Sequence, residues 1–245
     1  MLDPDPEKMK EPRMIEGCLH WDETLSLKQR LETLKNGIGI VKFNSVLDMW
    51  GRDAYSVAQN TELKLLADLK LNDIPNTVEA RVLAIRAQKP VWGITIHATG
   101  GAKMVKAAAI AADGKVVIFA VTILTSLDHE DLVQMCGETI PPPSVLVPRL
   151  AQMAVDNGAT GIICSPLETQ AVRKVVGEDI IIGNPGIRFL KENPTEDDQK
   201  RTATPAKAIR AGADFVVMGR DLKDKESCAR AVTEIEEVLA ERGGG

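Results

Sequence analysis

The feature that most constrains the fold of this chain is a repeated alternation of short aliphatic runs with amphipathic helical patterns. Eight such units follow one another from Ile15 onward. Parallel strands need a long crossover connection, which a helix usually supplies, so the alternation predicts repeated βα units around a parallel sheet. Eight units in one chain favour a closed (β/α)8 TIM barrel of the α/β class. An open doubly wound sheet is the alternative, although no G-x-G-x-x-G motif follows the first predicted strand.

The predicted strands are runs rich in aliphatic residues, each followed by residues that favour a turn or a helix start. They cover residues 15–21, 38–43, 64–71, 92–98, 115–124, 161–165, 179–184 and 214–219. Gly158, Gly177 and Gly212 each follow a helical pattern and precede one of these strands. A helix C-terminus favours glycine there because it tolerates positive φ. These three glycines therefore support the prediction that a helix ends shortly before each of these strands begins.

The length and composition predict one barrel domain. The 245 residues suit a single α/β barrel, and 44% hydrophobic with only 3% aromatic residues suits strands buried on both faces. We expect a flexible N-terminal arm over residues 1–14, a single TIM-barrel domain over 15–242 and a flexible tail over 243–245. The arm lacks the apolar region of a signal peptide, and no apolar stretch is long enough to span a membrane, so no membrane partner is expected.

Charge and cysteine spacing bear on partners, metals and compartment. The formal net charge is −5, and no basic run interleaved with aromatic residues is present, so nucleic acid is not an expected partner. The four cysteines are widely separated, namely Cys18, Cys136, Cys164 and Cys228. They form no C-x-x-C motif, and a neighbouring histidine alone cannot complete a zinc site, so no metal site is expected. Reduced thiols fit a cytoplasmic protein.

Three charged residues stand where the third predicted strand ends. Asp68 and Lys70 are two residues apart, so a regular strand would direct both side chains to one face, whereas Asp73 lies beyond the strand. Burying such charges is costly unless a partner or a substrate replaces the lost hydration. Two interpretations stay open here, a surface ion pair at a strand terminus or a reactive group at the rim where barrel active sites form.

Glycine and arginine stand at the ends of the last two predicted strands. Gly186 and Arg188 come after the seventh, whereas Gly219 is the last residue of the eighth and Arg220 follows it. Barrels often bind phosphate at these loops, through backbone N–H groups that glycine leaves accessible. The alternative is a pair of glycine turns with solvated arginines. Their coincidence at both strands favours a phosphate site.

In combination these segments resemble the orotidine 5′-monophosphate decarboxylase family, from about residue 15 to 241. The matching segments are Asp68-Leu69-Lys70, Asp73-Ile74-Pro75-Asn76-Thr77, His97-Ala98-Thr99-Gly100-Gly101, Val121-Thr122-Ile123-Leu124-Thr125-Ser126, Asn184-Pro185-Gly186-Ile187-Arg188, Asp198-Gln199 and Met218-Gly219-Arg220. The D-x-K-x-x-D motif is shared with other phosphosugar barrels, whereas the continuations I-P-N-T and P-G-I-R are more specific. The resemblance implies cofactor-free decarboxylation of orotidine monophosphate to UMP in pyrimidine biosynthesis.

The resemblance also implies a catalytic array built across two subunits. Its members would be Lys42, Asp68, Lys70 and Asp73. Lys70 would protonate C6 of the pyrimidine, and Asp68 would lie beside the departing carboxylate. Asp73, together with Thr77, would come from the other subunit of a homodimer. Neither a metal nor an organic cofactor is implied.

The resemblance implies a set of substrate-binding residues as well. They are His20, Thr77, Ser126, Pro185, Arg188, Gln199, Gly219 and Arg220. Ser126 would meet the pyrimidine, while Gln199, Arg220 and the Gly219 N–H, with Gly186, would hold the phosphate. The polar segment 191–201, long for a barrel loop, is predicted to close over it as a lid.

Two positions depart from the family pattern. His20 stands where the family usually has an aspartate that binds the ribose, so Asp22 substitutes for it, His20 makes a different contact, or sugar recognition has changed. Lys42 is followed by Phe43 and Asn44, where valine and glycine are commoner. These departures concern substrate detail and leave the reaction class unchanged.

Two other functions are compatible with the same motif. One is a metal-dependent phosphosugar barrel of the keto-gulonate phosphate decarboxylase or hexulose phosphate synthase type, against which the Pro-Asn-Thr continuation argues. The other is a catalytically silent barrel that binds a nucleotide, against which the intact set of charged residues argues. Dependence on a divalent metal and turnover of orotidine monophosphate distinguish the three.

Overall fold

The computed structural model describes residues 13–16, 31, 38–59, 63–88, 91–190, 201–219, 221–222 and 224–243. The strands in these ranges are Arg13–Glu16 (β1), Ile40–Phe43 (β2), Lys64–Leu71 (β3), Val91–His97 (β4), Val117–Val121 (β5), Gly161–Ile163 (β6), Ile181–Asn184 (β7) and Phe215–Met218 (β8). They pair in parallel in chain order, and β1 also pairs with β8, which closes the barrel. The predicted TIM barrel is confirmed, and the open sheet is excluded.

Several strands differ from their predicted bounds. β1 begins at Arg13, so this residue and Met14 belong to the barrel rather than to the N-terminal arm. Residues 17–21, the remainder of the first predicted strand, lie outside the described residues. β5 ends at Val121 and β6 at Ile163, before the predicted ends at 124 and 165. The chain leaves the sheet early at these points and enters the loops of the C-terminal rim, where barrels carry their functional groups.

Helices connect the strands on the outside of the barrel. They are Ser45–Trp50 (α1), Arg52–Gln59 (α2), Pro75–Arg86 (α3), Ala102–Ala112 (α4), His129–Cys136 (α5), Pro143–Asp156 (α6), Thr169–Val176 (α7), Pro205–Arg210 (α8) and Lys225–Gly243 (α9), with a 3-10 turn at Ala98–Gly100 after β4. Proline opens α3, α6 and α8, where its missing N–H would have had no helical partner. Across the ranges described, no helix combines the length and apolarity needed to cross a membrane.

The interior of the barrel is filled by aromatic rings that stand against glycines. Phe119 of β5 and Phe215 of β8 are buried, with ring centroids 5.6 Å apart, and the Trp92 ring of β4 lies 5.1 Å from Phe119. A Cβ atom at Gly161 of β6 would overlap Phe119, and one at Gly183 of β7 would overlap Phe215. Packed side chains therefore fill the interior.

Candidate active site

Asp68 is the centre of a charged cluster at the C-terminal rim of the barrel. Its Oδ2 atom accepts hydrogen bonds from Lys42 Nζ at 2.5 Å and from Lys70 Nζ at 2.7 Å. Asp68 and Lys42 are buried, with 4% and 8% of their surface exposed. β2 pairs with β3, so adjacent strands bring the residues together. The surface ion pair that the sequence left open is thus excluded for Asp68.

The two ammonium groups keep Asp68 ionised. Burial alone would raise the pKa of Asp68, but the charges of Lys42 and Lys70 and the hydrogen bonds from both outweigh it. The pKa therefore lies well below its ordinary value. A fixed negative charge stands between two cations, and the Lys70 side chain, 33% exposed, is open to the rim.

Lys70 has a backbone conformation that is uncommon for a residue other than glycine. Its φ is +43°, and the register between β3 and β4 shifts between Ala67 and Leu71. Such a bulge redirects a side chain and interrupts the ladder of backbone hydrogen bonds. Lys70 nevertheless meets Asp68, although by this local irregularity rather than by the regular alternation assumed from sequence. Backbone strain of this kind is typical of functional sites.

Thr95 and Asn44 complete the hydrogen bonds around Asp68, and neither was predicted as a site residue. Thr95 Oγ1 of β4 accepts from Lys70 N and donates to Asp68 Oδ1, both at 2.9 Å. Asn44 Nδ2, just after β2, donates to the main-chain oxygen of Asp68 at 2.7 Å. A polar residue within a mostly aliphatic strand, two positions before His97, was the available signal for Thr95.

His97 ends β4 beside this cluster, and its surroundings favour the neutral imidazole. Burial lowers the pKa of His97, the charge of Lys70 lowers it further, and that of Asp68 acts in the opposite direction with smaller effect. His97 therefore adds hydrogen-bonding capacity rather than positive charge to the rim at neutral pH.

Arg201 and Glu168 form a buried ion pair at the same rim, which no sequence pattern indicated. Arg201 Nη1 lies 2.9 Å from Glu168 Oε2. Arg201 Nη2 donates to the main-chain oxygens of Ile123 and Leu124, at 3.1 and 2.9 Å. One guanidinium thus joins the loops that follow β5, β6 and β7.

The loop after β7 turns sharply at a glycine. Gly186 has φ +79° and is buried. Its carbonyl accepts from Ala203 N at 3.2 Å, and Arg188 N donates to Ala203 O at 2.9 Å. Pro185 and Arg188 are half-buried on either side of this turn, and Ser126, after β5, is exposed. These predicted binding residues thus belong to the loops that follow β5 and β7.

The rim combines a proton-bearing cation, a fixed carboxylate and a loop that turns at a glycine with positive φ. Among the residues that the structure describes, no group of three or more His, Cys, Asp or Glu side chains is arranged to hold a metal ion. Lysine ammonium groups beside a buried carboxylate can stabilise negative charge that develops on a substrate and can donate a proton to it.

Comparison with known proteins identifies the family. A sequence model of the Orotidine 5'-phosphate decarboxylase / HUMPS family matches residues 20–235. The chain belongs to this family. The Orotidine 5'-phosphate decarboxylase of Anaeromyxobacter sp. (strain K) is 45% identical over 187 residues, 76% of this chain and 79% of that protein. The protein of the same name from Neisseria meningitidis serogroup A is 37% identical over 191 residues, 77% of this chain and 76% of its own length.

A solved structure agrees with this assignment. The crystal structure of Orotidine 5'-phosphate decarboxylase from Lactobacillus acidophilus superposes with a TM-score of 0.74 at 29% identity and covers 92% of this chain and 99% of its own. An uncharacterised conserved protein from Geobacillus kaustophilus, at 24% identity and a TM-score of 0.69, shares the fold. The decarboxylase family and the barrel are thus supported by both sequence and structure.

Three of the residues predicted to bind substrate in this decarboxylase family lie outside the described residues. They are His20, Gln199 and Arg220. Of the predicted lid, residues 191–200 also lie outside them, and Arg201 is the part that the structure describes. Gly219, which directly follows β8, is half-buried. The structure therefore describes the other five predicted binding residues, namely Thr77, Ser126, Pro185, Arg188 and Gly219.

Asp73 and Thr77 stand apart from the Asp68 cluster within one chain. Asp73 is exposed, and its Oδ1 accepts from Ile74 N at 2.7 Å. Thr77 is half-buried in the first turn of α3. Among the described residues, no hydrogen bond or ion pair joins Asp73 to Lys42 or Lys70. Within the ranges that the structure describes, the single chain therefore brings together three members of the predicted array, Lys42, Asp68 and Lys70.

Proposed function

We propose that this chain decarboxylates orotidine 5'-monophosphate to UMP in pyrimidine biosynthesis, without a metal or an organic cofactor. The observation that carries this proposal is the buried Asp68 carboxylate held between Lys42 and Lys70 at the rim of a barrel of the decarboxylase family. Relatives that are 45% and 37% identical to it over 187 and 191 aligned residues are named for this activity.

The reaction breaks the bond between pyrimidine C6 and its carboxylate carbon. Carbon dioxide leaves, and the bonding electron pair stays on C6. This carbanion sits in an sp² orbital of the ring and gains little from delocalisation, so it needs a nearby cation and an immediate proton. Lys70 Nζ supplies both, because its proton passes to C6 and gives UMP. The neutral amine then regains a proton from water.

Asp68 contributes through its fixed charge. A carboxylate that stays ionised repels the carboxylate of the bound substrate, and this repulsion falls as carbon dioxide departs. The low pKa of Asp68, caused by its two lysine partners, preserves the charge at physiological pH. Lys42 binds the same carboxylate oxygen as Lys70, Oδ2, and helps to balance the charge of the cluster.

The phosphate and the base would be bound by the loops beyond β5, β7 and β8. We assign the phosphate to Gly186, Gln199, Arg220 and the Gly219 N–H, and the pyrimidine to Ser126. Pro185 and Arg188 would line the same loop after β7, and His20 would meet the ribose. The turn at Gly186, with its positive φ, supports this assignment because turns of this kind can direct backbone N–H groups at an anion.

Asp73 and Thr77 would complete the site of a partner subunit in a homodimer. Asp73 is exposed and outside the cluster of its own chain. The neighbouring Ile74 is 67% exposed, and Leu83 of α3 is 41% exposed. Large apolar side chains beside a charged residue of this kind suit a surface that another subunit covers.

A spectrophotometric assay with orotidine monophosphate tests the proposed function. We expect turnover that survives exhaustive chelation. Activity lost on chelation and restored by magnesium would instead indicate the metal-dependent phosphosugar reaction. UMP binding without any turnover would indicate a silent nucleotide-binding barrel.

A cytoplasmic location remains part of the proposal. Cys136 is an exposed free thiol, and Cys164 is a buried one whose pKa burial raises to about 12. Exposed unpaired thiols are typical of reducing compartments. Thiol titration checks this point, because Cys136 should react in the native protein and all four cysteines in the denatured one.

A further inference from the structure

We propose that Thr95 is a positioning residue that holds Asp68 and Lys70 together in the arrangement that decarboxylation needs. The inference rests on the proposed function, because it assigns to Thr95 a part in that reaction. Thr95 acts through its two neighbours and needs no contact with substrate.

A single hydroxyl group connects the two charged residues. Thr95 Oγ1 donates to Asp68 Oδ1 and accepts from the main-chain N–H of Lys70, both at 2.9 Å. A carboxylate can only accept and an N–H can only donate, so the two partners determine the direction of both bonds. Thr95 is 1% exposed, which excludes competition from bulk water.

The Lys70 N–H depends on Thr95 because the sheet is interrupted there. The register between β3 and β4 shifts across Ala67 to Leu71, and Lys70 has φ +43°. A bulge leaves backbone groups without their usual ladder partner, and buried ones require a substitute. The Thr95 hydroxyl supplies that substitute and stabilises the turn that directs Lys70 toward Asp68.

The hydrogen bond from Thr95 prevents the Asp68 carboxylate from rotating. Both ammonium groups bind Oδ2, and Thr95 is the donor to Oδ1 among the described residues. Asn44 Nδ2 fixes the main chain of Asp68 from the β2 side, at 2.7 Å. Without the hydroxyl, the carboxylate plane can rotate and carry the Lys70 ammonium away from its place. Errors of about 1 Å at a reacting centre can cost on the order of a hundredfold in rate.

The test compares Thr95→Val, which removes the hydroxyl at nearly constant volume, with Thr95→Ser, which retains it. Thr122→Val is the matched control, because Thr122 is also 1% exposed and its hydroxyl donates to the main chain of Ile163 at 3.1 Å. We expect kcat for orotidine monophosphate to fall roughly ten- to hundredfold in Thr95→Val. We expect Thr95→Ser and Thr122→Val to stay within about threefold of the parent.

UMP affinity separates positioning from a general structural defect. The product lacks the carboxylate and already carries its C6 proton, so we expect Thr95→Val to bind UMP within about threefold of the parent. A parent-like kcat in Thr95→Val would overturn the inference, as would equal losses of kcat and UMP affinity or a failure of Thr95→Ser to restore turnover.

Each of three further outcomes also has a defined consequence. If Thr95→Val does not fold, Thr95→Cys takes its place, because a thiol has similar size but is a weak hydrogen-bonding group, and the same criteria apply. If the parent itself fails to turn over orotidine monophosphate, the proposed function is wrong and the inference fails with it. If the parent is active and the Thr95 variants match it, only the inference fails.

Discussion

At the scale of single residues, Lys70 is the proton donor of the proposed reaction. Its ammonium group touches Asp68 and is open to the rim, as a proton donor must be. Lys64 lies on the same strand but at the opposite end, with its ammonium 5.5 Å from the centre of the Trp92 ring. The two lysines therefore share a strand and differ in the end of the barrel that they occupy.

This difference predicts the outcome of two matched substitutions. Lys70→Ala should reduce turnover of orotidine monophosphate by a hundredfold or more, since a general acid typically contributes about that factor, while UMP still binds. Lys64→Ala should leave kcat within about threefold of the parent. Steady-state kinetics and UMP titration measure both. Turnover of Lys70→Ala within about tenfold of the parent would contradict its role as the proton donor.

Asp68 predicts a particular dependence of stability on pH. Its folded pKa lies below the ordinary value of 3.8, with burial opposed by the larger combined effect of Lys42 and Lys70. A lowered pKa stabilises the folded state above the unfolded pKa, and that contribution is lost as pH falls below it. The free energy of unfolding of the parent, relative to Asp68→Asn, should thus be constant from pH 7 to about 5 and decline below about 4.

Urea denaturation of both proteins across this pH range measures the effect. The difference between parent and variant removes the contributions of the other acidic groups that both share. A difference that stays flat down to about pH 3 would mean that Asp68 does not have a lowered pKa.

The sequence predicts which residues form the charged cluster, but it does not predict the backbone conformation that brings them together. Asp68 and Lys70 could be identified because a D-x-K-x-x-D motif stands at the end of an aliphatic strand. The positive φ of Lys70 could not, because no local pattern marks a lysine for the left-handed region. Thr95 was not predicted as a site residue because its proposed positioning role depends on the departure of β3 from regular pairing with β4.

At the scale of elements, one guanidinium holds three rim loops. Arg201 pairs with buried Glu168 and donates to the main-chain oxygens of Ile123 and Leu124. Breaking a buried pair leaves an uncompensated charge, so Arg201→Met should lower the free energy of unfolding by about 3–5 kcal/mol. Arg210→Met is the control, because its pair with Glu241 is more than half exposed and should be worth less than about 1 kcal/mol.

Chemical denaturation of the single variants and of the double variant Arg201→Met/Glu168→Gln checks this. The double variant should recover part of the loss, because no unpaired charge remains. Equal destabilisation by Arg201→Met and Arg210→Met would show that the buried pair contributes no more than a surface one.

Glycines within the strands show how far the sequence predicts the packing of a strand. A glycine within a strand indicates a close approach, but its partner depends on the register of strands far away in the chain. Gly183 of β7 faces the ring of Phe215 in β8, because the register of these two paired strands sets Gly183 opposite Phe215. We expect Gly183→Ala to cost about 1–3 kcal/mol of stability through overpacking.

A second substitution identifies the cause of that loss. Phe215→Leu reduces the opposing side chain, so the double variant Gly183→Ala/Phe215→Leu should be less destabilised than the sum of the two single variants. Thermal or urea unfolding gives the coupling. Strict additivity would mean that the added methyl group does not meet Phe215.

At the scale of the whole molecule, the barrel follows from the sequence while the complete site does not. Eight βα units led to the correct closure because parallel connections allow few arrangements. The cluster in one chain contains Lys42, Asp68 and Lys70, with Asp73 exposed outside it. A sequence pattern within one chain carries little information on which surface meets a second copy of the chain. The proposed dimer therefore needs an experiment of its own.

The proposed homodimer predicts recovery of activity when two inactive variants are mixed. Lys70→Ala and Asp73→Ala should each be inactive alone. After subunit exchange, a mixed dimer has one site with Lys70 from one chain and Asp73 from the other, so equal mixing should restore about a quarter of the parent activity. Mixing Lys70→Ala with Asp68→Ala is the control, because both changes affect the same three-residue cluster and every mixed site keeps a defect. Exchange verified by mass-tagged subunits without recovery would mean that Asp73 does not act across the interface.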